Sequence, residues 1–272
     1  MKKYVILLIC FTFLFSCKND QKTESKSNKP ESKEKLNTDF EVHKEKLTPG
    51  NLEICDGEDC PQIKVDYVKI KTPSKFGKAF NEKNQTDLIS IFNTTEEKTK
   101  VKSIKEAVEN FIQDYFDYRK DFAESETEYE AEISQEIISR NDSLVVLKTD
   151  FYLFSGGAHG YGGTHFLNFD AKSGEFLTKD DLISDMSAFK DYAEKKFRKK
   201  FEIKSDATIN AKGFFFENDK FALPDNIAVM PEKIILLYNP YEAASYAQGQ
   251  IEMEFSKKEV GQWLKYWTWT RT

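Results

Sequence analysis

The chain has 272 residues, of which 32% are charged and 39% hydrophobic, and its formal net charge is −6. That length suffices for one large domain or two small ones with a substantial core. The acidic balance disfavours phosphate backbones and anionic headgroups and favours cationic partners, which argues against nucleic acid as a ligand.

At the amino terminus Lys2-Lys3, the apolar run Tyr4 to Phe15 and the junction Leu14-Phe15-Ser16-Cys17 read as a removable export signal. The apolar stretch is too short to span a bilayer and ends beside a small residue. Residues 1–16 are expected to leave, making Cys17 the lipidated first residue of a protein held outside the cytoplasm. Because Lys2 and Lys3 go with the signal, the formal charge moves from −6 to −8. Two or more acyl chains anchor stably, each buried methylene contributing about 0.8 kcal/mol. The competing reading, a secreted protein with a chance cysteine, would leave Cys17 an unpaired thiol. Cys17-Lys18-Asn19-Asp20 resembles the lysine-plus-acid signals of Bacteroidota surface lipoproteins, which implies the outer membrane, in its periplasmic or surface leaflet.

Residues 17–55 are rich in Lys, Glu, Ser, Asn and Thr and poor in large apolar groups, so they read as a flexible tether. A coil of about 30 such residues spans roughly 30 Å. Cys10 leaves with the signal, so Cys55 and Cys60 remain as the cysteines of the fold. Their C-x4-C spacing in an oxidising compartment reads as a small disulfide loop adding about 2 kcal/mol. Zinc would need two more soft ligands, and only carboxylates and His43 stand nearby.

The folded part opens with a strand at Ile63, Val65 and Tyr67, continuing through Val68 and Ile70 after a phase slip of the kind a bulge produces. Phe76, Phe80, Leu88, Ile89 and Phe92 predict a helix interrupted or frayed near Asn84. Ile104, Val108, Phe111, Ile112, Tyr115 and Phe116 form a clear helical stripe. From Tyr129 to Phe154, alternating and branched residues around the turn Asn141-Asp142 predict a long antiparallel hairpin. A third strand, His165 to Phe169, runs into the turn 170–174. Thr178 precedes one helix with a buried face of Leu182, Met186, Phe189, Ala193, Phe197 and Phe201. Its opposite face, Lys195, Lys196, Arg198, Lys199 and Lys200, reads as solvated surface. Strands follow near Phe221 to Leu223, Ile227 to Val229, Ile234 to Tyr238 and Ile251 to Phe255, then a short helix near Lys257 to Lys265. Strands and helices in blocks, without βαβ alternation, indicate an α+β fold of antiparallel sheets with packed helices, arranged as two intimately associated subdomains.

Two segments could carry chemistry. Ser155 to His165 contains five glycines and two of the three histidines, and it joins two predicted strands. It lacks the lysine and spacing of a P-loop and does not satisfy the dinucleotide fingerprint, so no cofactor is expected. His159 and His165 are weak metal candidates, with Asp170 as a further carboxylate, but local hydrogen bonding is the commoner role of such histidines and no metal is expected. A Ser155/His159 nucleophile pair lacks an orienting acid. In the second segment, Leu237 to Gly249, Asn239-Pro240 stops one strand and Tyr241, Glu242 and Tyr246 precede the next. With His159 they are the candidate ligand-binding residues, tyrosine combining apolar area with a polar tip. Aromatic packing within an irregular crossover is the competing role. Trp263, Trp267 and Trp269 at the carboxy terminus read as an aromatic stripe docking the chain end onto the core.

Phe154-Ser155-Gly156-Gly157-Ala158-His159-Gly160, then Asn168-Phe169-Asp170 with Ser173-Gly174, and the run from Tyr238-Asn239-Pro240-Tyr241-Glu242 to Tyr246-Ala247-Gln248-Gly249 resemble the paired extracellular domains of RsiV-type anti-sigma factors. The first of that pair resembles the amino-terminal domain of PdaC-type peptidoglycan deacetylases. The resemblance covers about residues 60–258. It implies a PdaC amino-terminal-like α+β domain over 56–163, an RsiV-like domain over 164–258 and an aromatic tail over 259–272. It also implies recognition of lysozyme, as in RsiV. A lipid anchor in place of a transmembrane helix does not permit the RsiV signalling route, and the metal-dependent domain that gives PdaC its activity has no counterpart in this length. The expected function is therefore a lipid-anchored, non-enzymatic envelope module binding a cationic protein such as lysozyme or a cell-wall glycan. The alternatives are a wall-acting hydrolase using the His159/His165 loop and a structural lipoprotein.

Overall fold

The computed structural model describes residues 40–52, 54–55, 60–71, 73–93 and 101–266. The signal, Cys10, Cys17, tether residues 18–39, cysteine-loop residues 56–59, Trp267 and Trp269 lie outside the described residues. Five α-helices and two sheets make up the described fold, which is mixed α and β. The six-stranded sheet runs in chain order through β1 (Val42–Leu47), β2 (Gln62–Ile70), β3 (Glu130–Arg140), β4 (Leu144–Phe154), β5 (Tyr161–Asp170) and β6 (Phe176–Leu177). The second has β7 (Ile227–Val229), β8 (Lys233–Tyr238) and β9 (Ile251–Ser256), all antiparallel. The expectation of wholly antiparallel sheets is corrected at one place: β2 runs parallel to β3, because two helices intervene between them and return the chain to the same end. β1 also lies inside the stretch expected to be tether. Its apolar content is low because only one flank packs, but Phe40 is buried on Phe76, and pairing with β2 satisfies the backbone.

Between β2 and β3 lie α1 (Lys75–Phe92) and α2 (Ile104–Asp121). Ser74 caps α1 by accepting the Gly77 N–H at 3.0 Å, and Ser103 caps α2 through the Glu106 N–H at 3.1 Å. Caps of this kind contribute about 1 kcal/mol each. The interruption expected at Asn84 is absent, because the buried Asn84 amide finds partners on the sheet. Its Nδ2 donates to Val68 O at 2.8 Å and to Gln135 Oε1 at 3.0 Å, and its Oδ1 accepts from Gln135 Nε2 at 2.7 Å. Gln135 Nε2 also donates to Thr149 Oγ1, and Gln135 Oε1 accepts the Val68 N–H. The backbone ladder between β2 and β3 ends at Asp66↔Ser134, and this side-chain network replaces it. The phase slip in β2 is its consequence: buried positions change from Ile63 and Val65 to Val68 and Ile70. The β1–β2 register stays unbroken, so β2 has no bulge against β1; the irregularity lies in β3 between Ile137 and Ser139.

Four layers result. α1 and α2 cover one face of the large sheet, over clusters built on Phe76, Phe80 and Phe169 at one end and Val108, Ile112 and Ile133 at the other. On the opposite face Val146 and Phe166 pack against Ala228, Ile235 and Leu237 of the small sheet. The far face of the small sheet, through Ile234, Leu236 and Phe255, lies under α4 (Met186–Lys200) with Phe189 and Phe197. Each sheet therefore buries one face under helices and offers the other to its neighbour. The subdomain boundary expected at 163/164 falls inside β5, which stays in the large sheet.

Strand edges between the sheets are closed by asparagines. Asn168 donates from Nδ2 to Ile227 O at 2.6 Å and accepts the Val229 N–H at 3.0 Å, occupying the outer edge of β7. On β5, Asn226 Oδ1 accepts the Phe166 N–H at 2.7 Å, and its Nδ2 donates to Thr164 O. Asn239 Oδ1 accepts the Thr164 N–H at 2.9 Å, and its Nδ2 donates to Thr164 O at 3.0 Å. A primary amide presents the same donor and acceptor as a peptide group, so each asparagine completes a piece of missing ladder.

The single helix expected after Thr178 is two: α3 (Lys179–Leu182), capped by Thr178, and α4, capped by Asp185 through the Ala188 N–H. The break lets Ile183 bridge to Leu264. Two lysines of the expected solvated face are tied down, Lys196 Nζ donating to Glu254 O at 2.8 Å and Lys200 Nζ to Glu252 O. No strand forms at 221–223; Phe221 packs on Phe197 and Phe216 instead. The carboxy-terminal helix is shorter than expected, with α5 (Lys257–Val260) followed by one 3-10 turn that sets Trp263 against Phe189 and Tyr192. Cys55 and Cys60 are disulfide-bonded. Among the described residues no helix is long and apolar enough to cross a membrane.

Two stability predictions follow from these contacts. Asn168→Leu strands one donor and one acceptor of β7 in a buried site, so urea unfolding should show a loss of about 2–4 kcal/mol. The second concerns Glu259, whose pKa is held down to about 2 by the Ser256 backbone N–H, then by Lys196 and the Ser256 hydroxyl. With the folded value below the unfolded one, its contribution is complete above the unfolded pKa and lost as pH falls toward the folded value. Wild type should be the more stable of the pair with Glu259→Gln above about pH 5, and urea midpoints of the two should converge toward about pH 2.

Candidate functional site

The glycine loop and the tyrosine segment meet at the loop end of the β4–β5 hairpin. Half of the expected loop is strand: β5 begins at Tyr161, and Gly162 and Gly163 pair with Tyr152 and Phe151. The absence of a side chain at Gly163 is a packing requirement, since a Cβ there would lie 2.8 Å from Phe151 Cζ and 2.9 Å from Asn239 Oδ1. Gly160 has the same role toward the Tyr152 ring, 2.5 Å from where its Cβ would stand. With these positions open, Asn239 docks on Thr164 and carries the turn 239–242 up against the loop. Gln250 reinforces the joint by donating from Nε2 to Asn239 Oδ1 at 2.9 Å and to Thr164 Oγ1 at 3.1 Å.

The turn is closed by the Glu242 N–H donating to Asn239 O at 3.1 Å, with Pro240 second and Tyr241 third. Tyr241 has φ +70°, the left-handed conformation that a type II turn demands and that glycine normally supplies. For a residue with a Cβ this costs about 1 kcal/mol or more. The ring so placed is 52% exposed. Beneath it, His159 stacks on Tyr246 with centroids 4.0 Å apart and planes 17° from parallel, and Tyr241 lies 5.8 Å from Tyr246. His159 Nδ1 is 2.8 Å from Gly160 O and so must carry a proton. In the neutral ring Nε2 then accepts from the Tyr241 hydroxyl, at 3.4 Å.

Three of the four expected ligand-binding residues, His159, Tyr241 and Tyr246, thus form one platform. Glu242 differs: its carboxylate accepts the Asn239 N–H at 3.0 Å and closes the turn from below. Although Glu242 is exposed as a residue, crowding of its carboxyl raises the pKa above the usual range, against the opposing hydrogen bond from Asn239. Tyr161, part-exposed with its ring 5.9 Å from that of Phe151, has its phenol pKa raised by partial desolvation and then by Glu242. His165 is elsewhere, on the helix-side face of β5, with Nδ1 3.1 Å from Asp87 Oδ1 and its ring against Phe151. The two histidines share no partner, and among the described residues no three His, Cys, Asp or Glu side chains converge as a metal site. Asp170 turns its carboxylate to the backbone N–H groups of Lys172 and Ser173.

Sequence reasoning passed over Asn226, which bonds the β5 backbone, and over Asp150, Tyr152 and Gln250, which line the floor beside the platform. A depression of about 460 Å³ opens there. The one usable signal was the placement of asparagines at strand ends, where a side-chain amide can stand in for a missing strand.

Residues 54–161 match the family described as Deacetylase PdaC, and residues 177–258 match a protein family of unknown function, DUF3298. A DUF3298-family protein from Bacteroides fragilis has the same fold, with a TM-score of 0.63 at 18% identity over 83% of this chain and 94% of that one. A DUF3298-family protein from Pseudomonas aeruginosa gives a TM-score of 0.56 at 21% identity, with the same coverage of each chain. No curated protein matches the chain significantly.

Tyr241→Gly relieves the left-handed strain, and its urea midpoint should rise by an equivalent of up to about 1 kcal/mol. Tyr241→Ala keeps a Cβ in that conformation and should show no such gain.

Proposed function

We propose that this chain, with its PdaC-type domain followed by a DUF3298 domain, is a lipid-anchored binding module of the cell envelope that recognises a cationic wall-active protein, lysozyme being the reference partner. The observation that carries the reading is Tyr241. A turn that would be more stable with glycine holds a large aromatic ring out in solvent, over a stacked His159–Tyr246 pair. Strain kept at an exposed position that packing does not require points to use of the side chain. Tyrosine supplies contact area at low entropic cost and is enriched among residues that dominate interface energies. The acidic chain adds steering toward a basic partner. Acylation at Cys17 would hold the platform on a membrane face outside the cytoplasm, where such a partner is met. The hydrolase alternative gains nothing from His159 and His165, whose partners are separate.

Calorimetric titration of the mature, acylated chain in detergent micelles with lysozyme at moderate salt should give saturable heat, weakening as salt rises. Tyr241→Ala and Tyr246→Ala should each cost at least about tenfold in Kd, or 1.4 kcal/mol. Absence of saturable heat overturns the reading, and mass spectrometry showing an unmodified Cys17 overturns the anchor.

A further inference from the structure

We infer that the depression beside the tyrosine platform is a separate site for a short neutral saccharide. It lies on the face of the large sheet opposite the helices, where the small sheet, packed over Val146 and Phe166, leaves the hairpin end uncovered. Cross-strand pairs build its floor: Asp150 opposite Thr164, and Tyr152 opposite Gly162. Tyr246 and Gln250 close the other side, and the volume of about 460 Å³ is that of a small-molecule site.

The ligand class follows from the charge and hydrogen-bonding state of the lining. Asp150 is already paired, Oδ2 with Lys148 Nζ at 2.7 Å while Oδ1 accepts the Thr164 hydroxyl at 2.7 Å. An anion would meet that carboxylate, and a cation would have to displace Lys148. The remaining polar atoms are uncharged. The Tyr152 and Tyr246 hydroxyls and Gln250 Oε1 make no hydrogen bond among the described residues, since both bonds of Gln250 leave from Nε2. Two aromatic side chains with free hydroxyls and a free amide oxygen beside a glycine-bearing strand suit a ligand with apolar C–H faces and many hydroxyls. A saccharide ring is that ligand. Its site shares Tyr246 with the protein-binding platform but does not include Tyr241, so either proposal can fail alone.

The probe is the N-acetylglucosamine trimer, titrated into the full mature chain in micelles and followed by amide NMR shifts. Saturable shifts at Gly162, Gly163 and Gly249, unchanged in midpoint between low and high salt, are expected. Tyr152→Ala should weaken binding by at least about tenfold, with lysozyme heat unaltered. Should Tyr152→Ala fail to fold, Tyr152→Phe, which deletes only the hydroxyl, should still weaken the sugar measurably. Lack of saturation in the millimolar range, shifts outside the depression, or saturation by arginine methylamide and not by the sugar would each overturn the proposal.

Discussion

Unpaired strand edges are the problem this fold has to solve, and side-chain amides solve it. Two sheets packed face to face at a junction where β5 outruns β6 leave peptide groups of β5 and β7 without strand partners. Left buried and unbonded, each would cost about 1–3 kcal/mol. Asn168, Asn226 and Asn239 supply the missing donors and acceptors, and in doing so they join two sheets that share no strand. The same device fixes the surface chemistry. Asn239 is at once the clamp on Thr164 and the first residue of the turn that lifts Tyr241, so the platform's position is set by the core joint.

Inside the first half, a second amide network acts in the same way. Gln135 and Asn84 take over where the parallel ladder of β2 and β3 stops, and α1 is held to the sheet by polar bonds as well as by Phe76 and Phe80. Thr149 completes the network, so every amide atom of the pair has a partner. Fully satisfied buried networks specify one arrangement where apolar packing alone would allow several.

Much of this was legible before any coordinates. The α2 stripe, the long hairpin around Asn141-Asp142 and the closing strands of the second sheet follow from periodicity and turn residues, which are local signals. The segments that carry His159, Tyr241 and Tyr246 stand out by their glycine and tyrosine content, but nothing local in the sequence says that they meet. What periodicity does not carry is a polar residue whose partner lies far along the chain. Asn84 reads as a helix breaker until Gln135 is seen opposite it, and Glu242 reads as a ligand contact until Asn239 is found above it. Lys196 and Lys200 fail for the same reason: a basic helix face looks solvated unless one knows that β9 runs alongside. β1 was hidden because an edge strand with one packed flank has the composition of a linker.

Those two lysines have a further consequence. β9 is the last strand of its sheet, and its outward carbonyls at Glu252 and Glu254 are where another extended chain would attach. An incoming strand would first have to strip an ammonium group from each, replacing charge-assisted bonds with neutral ones. Lysine thereby occupies two carbonyls on one edge of the small sheet, and Asn168 occupies a carbonyl and an N–H on the other, so at those rungs a second copy would have to displace a side chain before it could add a strand.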